Sequence, residues 1–375
     1  MLKRLVQSSK LYLRKLLKRL GVTLLTKQQT ENYLQPYNLS VSPAVHVWLP
    51  DVLNQANAKT LVFEQTEAVT EPSYVWQYTL ASGSTKQLPY GAILTNGKLL
   101  CTDFELHHLL KNFVTASKRV QVQQAIIIAP WTHYLDGIFF VGYYDFVMLV
   151  AAKLCRIRES LPESVYEQAV VSYPLFNTPY EQEYLALLGF TPDRIFDSRQ
   201  HELQFSQVML ANSGHWFYPD PADIDALKKY IEPGVSVERT ERTRIYISRA
   251  GRRRVVNEAA LVELLLKYNF TIIDDKPRSV AEQIAIYKNA SFIMGPHGAS
   301  FTNIIWCEPG THLFELFSAN MVMNHFIYLA RIMGMTYSAY HHVLTLNDKR
   351  HHLEEDIFVS IADLEKSLDA LLELV

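Results

Sequence analysis

The stretch SFIMGPHGASFTN, residues 291–303, contains a complete strand-to-helix transition. SFIMG reads as a buried strand, Gly295 and Gly298 permit a tight turn with close backbone approach, and SFTNIIWC (300–307) reads as a short helix. The alternation continues outward in both directions. RIYISR (244–249) and TIIDD (271–275) read as strands. NEAALVELLLKYNF (257–270) between them is a helix, with Asn257 as its cap and Leu261, Leu264, Leu265 and Tyr268 on one face. SVAEQIAIYKNA (279–290) opens with Ser279 and Glu282 at capping-box spacing. PGTHLFELF (309–317) is a turn and strand, NHFIYLARIMGM (324–335) a helix and TYSAYHH (336–342) a last strand before the amphipathic terminal helix. This rhythm predicts a parallel, Rossmann-like sheet.

The preceding half also alternates. Asn96-Gly97 in AILTNGKLLC (92–101) signals a type I′ hairpin. QAIIIAP (124–130), QAVVSYP (168–174) and DRIFD (193–197) read as strands, with helices at YYDFVMLVAAKLCRI (143–157) and PYEQEYLALLGF (179–190). Asp220, Pro221 and Pro233-Gly234 bracket another helix, and the charged SVERTERTR (236–244) follows it. These signals predict three segments: a basic amphipathic helix over 1–26, an α/β domain over 27–232 and a Rossmann-like domain over 233–375.

Charge and cysteine usage narrow the function. The first 27 residues hold eight Lys or Arg and no acid; removing those eight from 36 basic residues leaves 28 against 38 acids. The body is therefore no general nucleic-acid binder. The leucines of MLKRLVQSSKLYLRKLLKRL recur at helical spacing, which suits an anionic membrane surface or packing on its own domain. No apolar run reaches the roughly 18–20 residues of a membrane span, and no secretory signal core is expected. Cys101, Cys155 and Cys307 are far apart, which disfavours a disulfide framework and fits a reducing, cytoplasmic compartment.

Ligands of parallel α/β sheets bind beyond the carboxyl ends of the strands. Gly295, His297, Gly298, Ala299, Ser300 and Asn303 lie at such an end, where a helix N-terminus suits a phosphate or diphosphate. The alternative is a tight turn whose histidine is satisfied by the backbone. Arg249 follows another strand, and Arg254 precedes a helix; both are candidates for phosphate contact. For Arg252 and Arg253 a solvated loop is favoured. Glu315, in or at the end of an apolar strand, suits either ribose hydroxyls or an ion pair with a loop arginine.

Together YISR (246–249), the arginines before Asn257-Glu258, SVAEQI (279–284), GPHGASFTN (295–303) and CEPGTHLFEL (307–316) resemble the C-terminal half of glycosyltransferase family 61. The resemblance covers roughly residues 243–340. It implies a GT-B-like α/β fold, two Rossmann-like domains facing a cleft, and an inverting, metal-independent transfer from a nucleotide-sugar to a glycan. No Asp-x-Asp pair or His/Cys cluster argues for a metal, and without one a diphosphate leaving group needs arginine, histidine and a helix N-terminus. The family carries a histidine after an Asn-aromatic-aromatic element. Here VGYYDFVMLVAAKL (141–154) has none, and the position falls on Tyr144 or Asp145.

An inverting transfer also needs a base. Asp145 is the first candidate, because a carboxylate in an apolar helix is costly without a role; an N-cap or a structural pair would also explain it. Asp136 is the alternative, with His133 assisting either. Trp131, Tyr143 and Trp216 suit either acceptor stacking or core packing. The resemblance implies surface-polysaccharide assembly on a glycan or lipid-linked glycan, at the inner face of a membrane. The missing histidine motivates a competing expectation, a non-catalytic nucleotide-sugar or glycan-binding protein; a hydrolase using the same phosphate site is a third.

Overall fold

The computed structural model describes residues 15–373 apart from 81–83, 104–117, 131–141, 239 and 343–354. Asp136, His133, Trp131 and most of the expected basic helix lie outside the described residues. Of that helix, 15–19 are helical; Leu17 is buried and Leu20 exposed. Among the described residues no helix is long and apolar enough to cross a membrane.

The chain divides into two compact units. One takes the described residues of Met1–Val45 and Thr70–Gly234, and the other His46–Val69 and Val235–Val375. The excursion 46–69 into the second unit was not expected, because nothing in its short strands names their partner.

In the first unit six strands form one sheet: Asn38–Ser42 (β1), Ser73–Thr79 (β2), Ile126–Ile128 (β3), Val170–Tyr173 (β4), Ile195–Asp197 (β5) and Gln207–Ala211 (β6). Their order is β5-β4-β3-β6-β2-β1. β3 to β6 pair in parallel, and β2 joins β6 antiparallel. Ile127, Val208, Leu210, Trp76 and Leu34 share its core. After β3 the chain runs through Tyr143–Phe146, widens into a π turn at Val147–Ala151 and continues as Ala152–Ser160 (α1). The hairpin Ile93–Thr95/Lys98–Leu99 forms as expected, with Asn96 at φ 48° and Gly97 at φ 71° supplying the left-handed pair a type I′ turn needs.

The second unit has strands Thr243–Ile247 (β7), Phe270–Ile273 (β8), Ala290–Pro296 (β9), His312–Phe317 (β10) and Thr336–His341 (β11). They lie in the order β8-β7-β9-β10-β11, all parallel, and Leu53–Asn54 and Asn57–Leu61 extend the sheet beyond β11. β10 is wholly buried, as a strand covered on both faces must be. Glu258–Lys267 (α2), Val280–Lys288 (α3), His325–Ile332 (α4) and Ile361–Leu372 (α5) connect or cover the strands.

The Ser279–Glu282 capping box is present: Ser279 Oγ accepts from Glu282 N at 3.1 Å, and Glu282 Oε2 from Ser279 N at 2.7 Å. Two local expectations need correction. Asn257 precedes α2 without capping it by its side chain; its amide instead bonds Val359 O at 2.7 Å and Val359 N at 3.2 Å, tying down the C-terminal segment. The helix after His297, Ala299–Trp306, is 3₁₀ throughout.

Candidate functional site

Strand order locates two sites. In the second unit the first strand, β7, is flanked by the second, β8, and the third, β9, so the winding reverses between β7 and β9. Crevices of doubly wound sheets open at such a switch point. β7 runs out into Arg249 and β9 into His297.

The glycines set the spacing there. A Cβ on Gly295 would lie 2.9 Å from Ile247 O, so the two strand ends require glycine to approach as they do. His297 N donates to Leu316 O at 2.9 Å, and Arg249 Nη1 to His297 O at 2.9 Å. The Arg249 guanidinium lies over Gly298, whose Cβ would be 1.8 Å from Nη1. Ala299 and Ser300, at the helix start, are partly exposed. Their N–H groups precede the first intrahelical bonds. Asn303 is buried and donates to Gln283 Oε1 at 3.0 Å and Ser300 O at 3.3 Å, so it secures the turn.

The arginine expectations are reversed by the backbone. Arg254 is the outward residue: its side chain is 58% exposed, and Nε donates to Asp356 Oδ2 at 3.1 Å. Arg253, which sequence favours as solvated loop, has φ 59° and is only 9% exposed. That left-handed conformation turns the guanidinium inward. Its Nε is buried without a partner, and Nη1 meets only Met321 Sδ, at 3.8 Å. Arg252 is half-buried.

Glu315 is fully buried. Oε1 lies 2.5 Å from His297 Nδ1, and Oε2 accepts from Tyr337 OH at 2.5 Å. Both oxygens are thus engaged inside the protein, which removes the expected ribose contact. His325, unmarked by sequence, sits edge-on to His297 at 5.1 Å.

Charge is concentrated at this point. Burial, with repulsion from Arg252, holds Arg249 down to about 10, and burial, with repulsion from Arg249 and Arg252, holds Arg253 down to about 9. Burial and the two guanidiniums hold His297 well below its ordinary value, and burial with His297 and Arg253 does the same to His325. Burial pushes Glu315 up to about 8. Among the described residues neither Arg249 nor Arg253 forms an ion pair. The arrangement favours an anion.

In the first unit the order β5-β4-β3-β6 reverses between β3 and β6. Buried ion pairs fasten the loop after β6. Lys153 on α1 meets Asp103 at 2.5 Å, and the other Asp103 oxygen accepts from Ser213 N at 2.7 Å. Arg156 pairs with Asp223 and donates to Asn212 O.

That loop carries His215 and Trp216. Trp216 Nε1 donates to Asp145 Oδ1 at 3.2 Å, and Trp216 O accepts from Tyr144 OH at 2.9 Å. Asp145 Oδ2 accepts from Gly142 N at 3.2 Å, so Asp145 does cap the helix start. It is 6% exposed, and burial pushes it up to about 6 despite those two donors. A π turn directly after it is a frequent companion of functional sites. Tyr143 OH bonds Tyr184 OH at 3.0 Å. His215, which no sequence signal marks, stacks on Tyr218 at 4.5 Å. Its Nδ1 is 3.1 Å from both Phe217 N and Tyr218 N, which assigns the ring proton to Nε2.

Among the described residues no group of three or more His, Cys, Asp or Glu could hold a metal ion.

Residues 104–314 match the model of the Glycosyltransferase 61 family. A segment of 63 residues is 36% identical to a beta-1,2-xylosyltransferase of Arabidopsis thaliana, covering 17% of this chain and 12% of that protein. The chain belongs to glycosyltransferase family 61.

Proposed function

We propose that this family member is a glycosyltransferase of GT-B-like organisation: the second unit holds a nucleotide-sugar donor and the first receives the glycan acceptor. The carrying observation is Arg253, a buried guanidinium without an anionic partner, beside Arg249 and His297 at the β7/β9 switch point. A buried unpaired cation is costly and is retained where a ligand supplies its counter-charge. A nucleotide diphosphate does so, with the exposed start of the 3₁₀ helix as a further donor set.

The transfer is metal-independent and inverting in this reading. Two guanidiniums and a histidine stabilise the leaving diphosphate, the task a divalent cation performs elsewhere. Asp145 takes the proton of the attacking acceptor hydroxyl, its carboxyl held near 6 by burial and aligned by Trp216. The acceptor is a glycan or lipid-linked glycan of surface-polysaccharide assembly, reached from the cytoplasmic face of a membrane through the basic N-terminal segment. One observation favours the second reading, a binding protein without turnover: the expected position of the family histidine, Tyr144 or Asp145, holds no histidine, and the Tyr144 hydroxyl bonds Trp216 O.

The test is a thermal-shift screen against UDP, GDP, CMP and dTDP, with and without EDTA, on wild type and Arg253→Met. A nucleotide that binds the folded state raises Tm by mass action. One nucleotide is expected to stabilise the wild type equally in EDTA, and Arg253→Met to abolish that response while the free variant melts no lower. Absence of any wild-type response sinks the donor site; binding without transfer to any acceptor supports the second reading.

A further inference from the structure

Three rings and a carboxyl pack around His297. Phe317 stacks on it at 5.3 Å and 28°, Phe326 lies at 5.3 Å and His325 at 5.1 Å. Its Nδ1 faces Glu315 at 2.5 Å. Its Nε2 has no hydrogen-bond partner among the described residues. Tyr337 OH, the Glu315 carboxyl and the His297 ring form one line of hydrogen bonds, and Nε2 is its free end.

The charges facing this line come from three directions. Arg249 donates to the His297 carbonyl, Arg253 approaches from the loop after β7, and His325 from the start of α4. Both guanidiniums oppose a third positive charge on the ring. Burial pushes the Glu315 carboxyl up to about 8, which favours its protonated form at neutral pH. The ring is then neutral, accepting from Glu315 at Nδ1 and carrying its own proton on Nε2. Phosphate oxygens docked on the guanidiniums reverse the balance, because they cancel the repulsion and attract an imidazolium.

We infer that Glu315 is a positioning residue that passes its proton to His297 Nδ1 when a diphosphate docks, so that the leaving group meets an imidazolium rather than a neutral ring. This rests on the donor-site reading above. The O–H bond of Glu315 breaks with its electron pair staying on Oε1, an N–H bond forms at Nδ1, and no proton is exchanged with solvent. The carboxylate left behind keeps the Tyr337 hydroxyl as donor. Nε2–H then makes a charge-assisted bond to phosphate, about twice as strong as a neutral one.

The experiment observes the imidazole nitrogens by NMR in isotope-labelled wild type, Glu315→Gln and Tyr337→Phe, with His297 assigned by its loss in His297→Gln. The probes are inorganic pyrophosphate, UDP, GDP and dTDP, with affinities from calorimetry in buffers of different ionisation enthalpy. Wild-type His297 is expected to pass from a neutral ring to one protonated on both nitrogens on binding, without net proton uptake. Glu315→Gln is expected to keep a neutral ring and bind about tenfold more weakly; Tyr337→Phe falls between. A ring that stays neutral in the bound wild type, or becomes protonated equally in Glu315→Gln, overturns the inference alone. If the wild type binds none of the probes, the donor-site reading falls and takes the inference with it.

Discussion

The switch points of the two sheets are opposite in charge. At β7/β9, Arg249 and Arg253 lie near each other with no ion pair among the described residues, and burial with repulsion lowers both. At β3/β6 one carboxylate, Asp145, is held by the neutral donors Trp216 and Gly142, and burial raises it. Both sites carry groups that burial has moved towards neutrality. In the proposed reading the first kind of site takes an anion and the second a proton. The same winding rule therefore serves two chemistries, and the side chains at the strand ends decide which.

The strongest way to break this comparison is Asp145→Asn. Loss of a general base is expected to lower turnover by about 10²–10⁴-fold while nucleotide binding is unchanged. Wild-type activity should decline as pH falls through about 6, where Asp145 takes up a proton. Stability should move the other way. The folded pKa is raised above the unfolded value, so the ionised folded form is disfavoured and stability is lost as pH rises through about 6. Asp145→Asn should then be more stable than wild type by about 3 kcal/mol at pH 8, with the gap closing below pH 4, as read by denaturant unfolding. A variant that unfolds more easily at pH 8 assigns Asp145 to helix capping alone.

The two glycines sharpen the description of the cationic site. A Cβ at Gly295 meets backbone, Ile247 O at 2.9 Å, so Gly295→Ala is expected to cost about 2 kcal/mol of stability by forcing β7 and β9 apart. A Cβ at Gly298, where the backbone is extended, meets first the end of the Arg249 side chain. Gly298→Ala should cost under about 1 kcal/mol and instead weaken nucleotide binding about tenfold by displacing the guanidinium. Equal loss of stability in both variants would mean that Arg249 is a structural strut.

The smallest effect is expected at Arg254. Its exposed guanidinium pairs with the buried Asp356, which also accepts from Arg254 N, so Arg254→Ala keeps the backbone bond and should cost about 1 kcal/mol of stability while leaving nucleotide binding intact. A binding loss comparable to that of Arg253→Met would restore Arg254 as a donor ligand.

Much of this was legible in the sequence. The alternation of apolar runs with capped helices announced parallel sheets in both halves, because a strand buried on both faces must be apolar throughout and its crossover must be a helix. Ser279 with Glu282, Asn96-Gly97 and Asp220-Pro221 marked their elements, since caps and turns are satisfied within a few residues. Arg249 and His297 stood out because each follows a strand. Asp145 stood out as an acid in an apolar helix.

What the tertiary structure decided is of another kind. Strand order is set by pairing between segments far apart in the chain, and only that order puts Arg249 beside His297 and Trp216 beside Asp145. The excursion 46–69 finds its sheet by the same long-range pairing. Among three consecutive arginines one left-handed residue chooses which turns inward, and the surrounding packing rather than local propensity holds Arg253 at φ 59°. Glu315 in sequence is an acid in an apolar run; in the fold it is the partner of His297 and Tyr337, because neighbouring parallel strands bring 297, 315 and 337 onto one face, two residues apart in register.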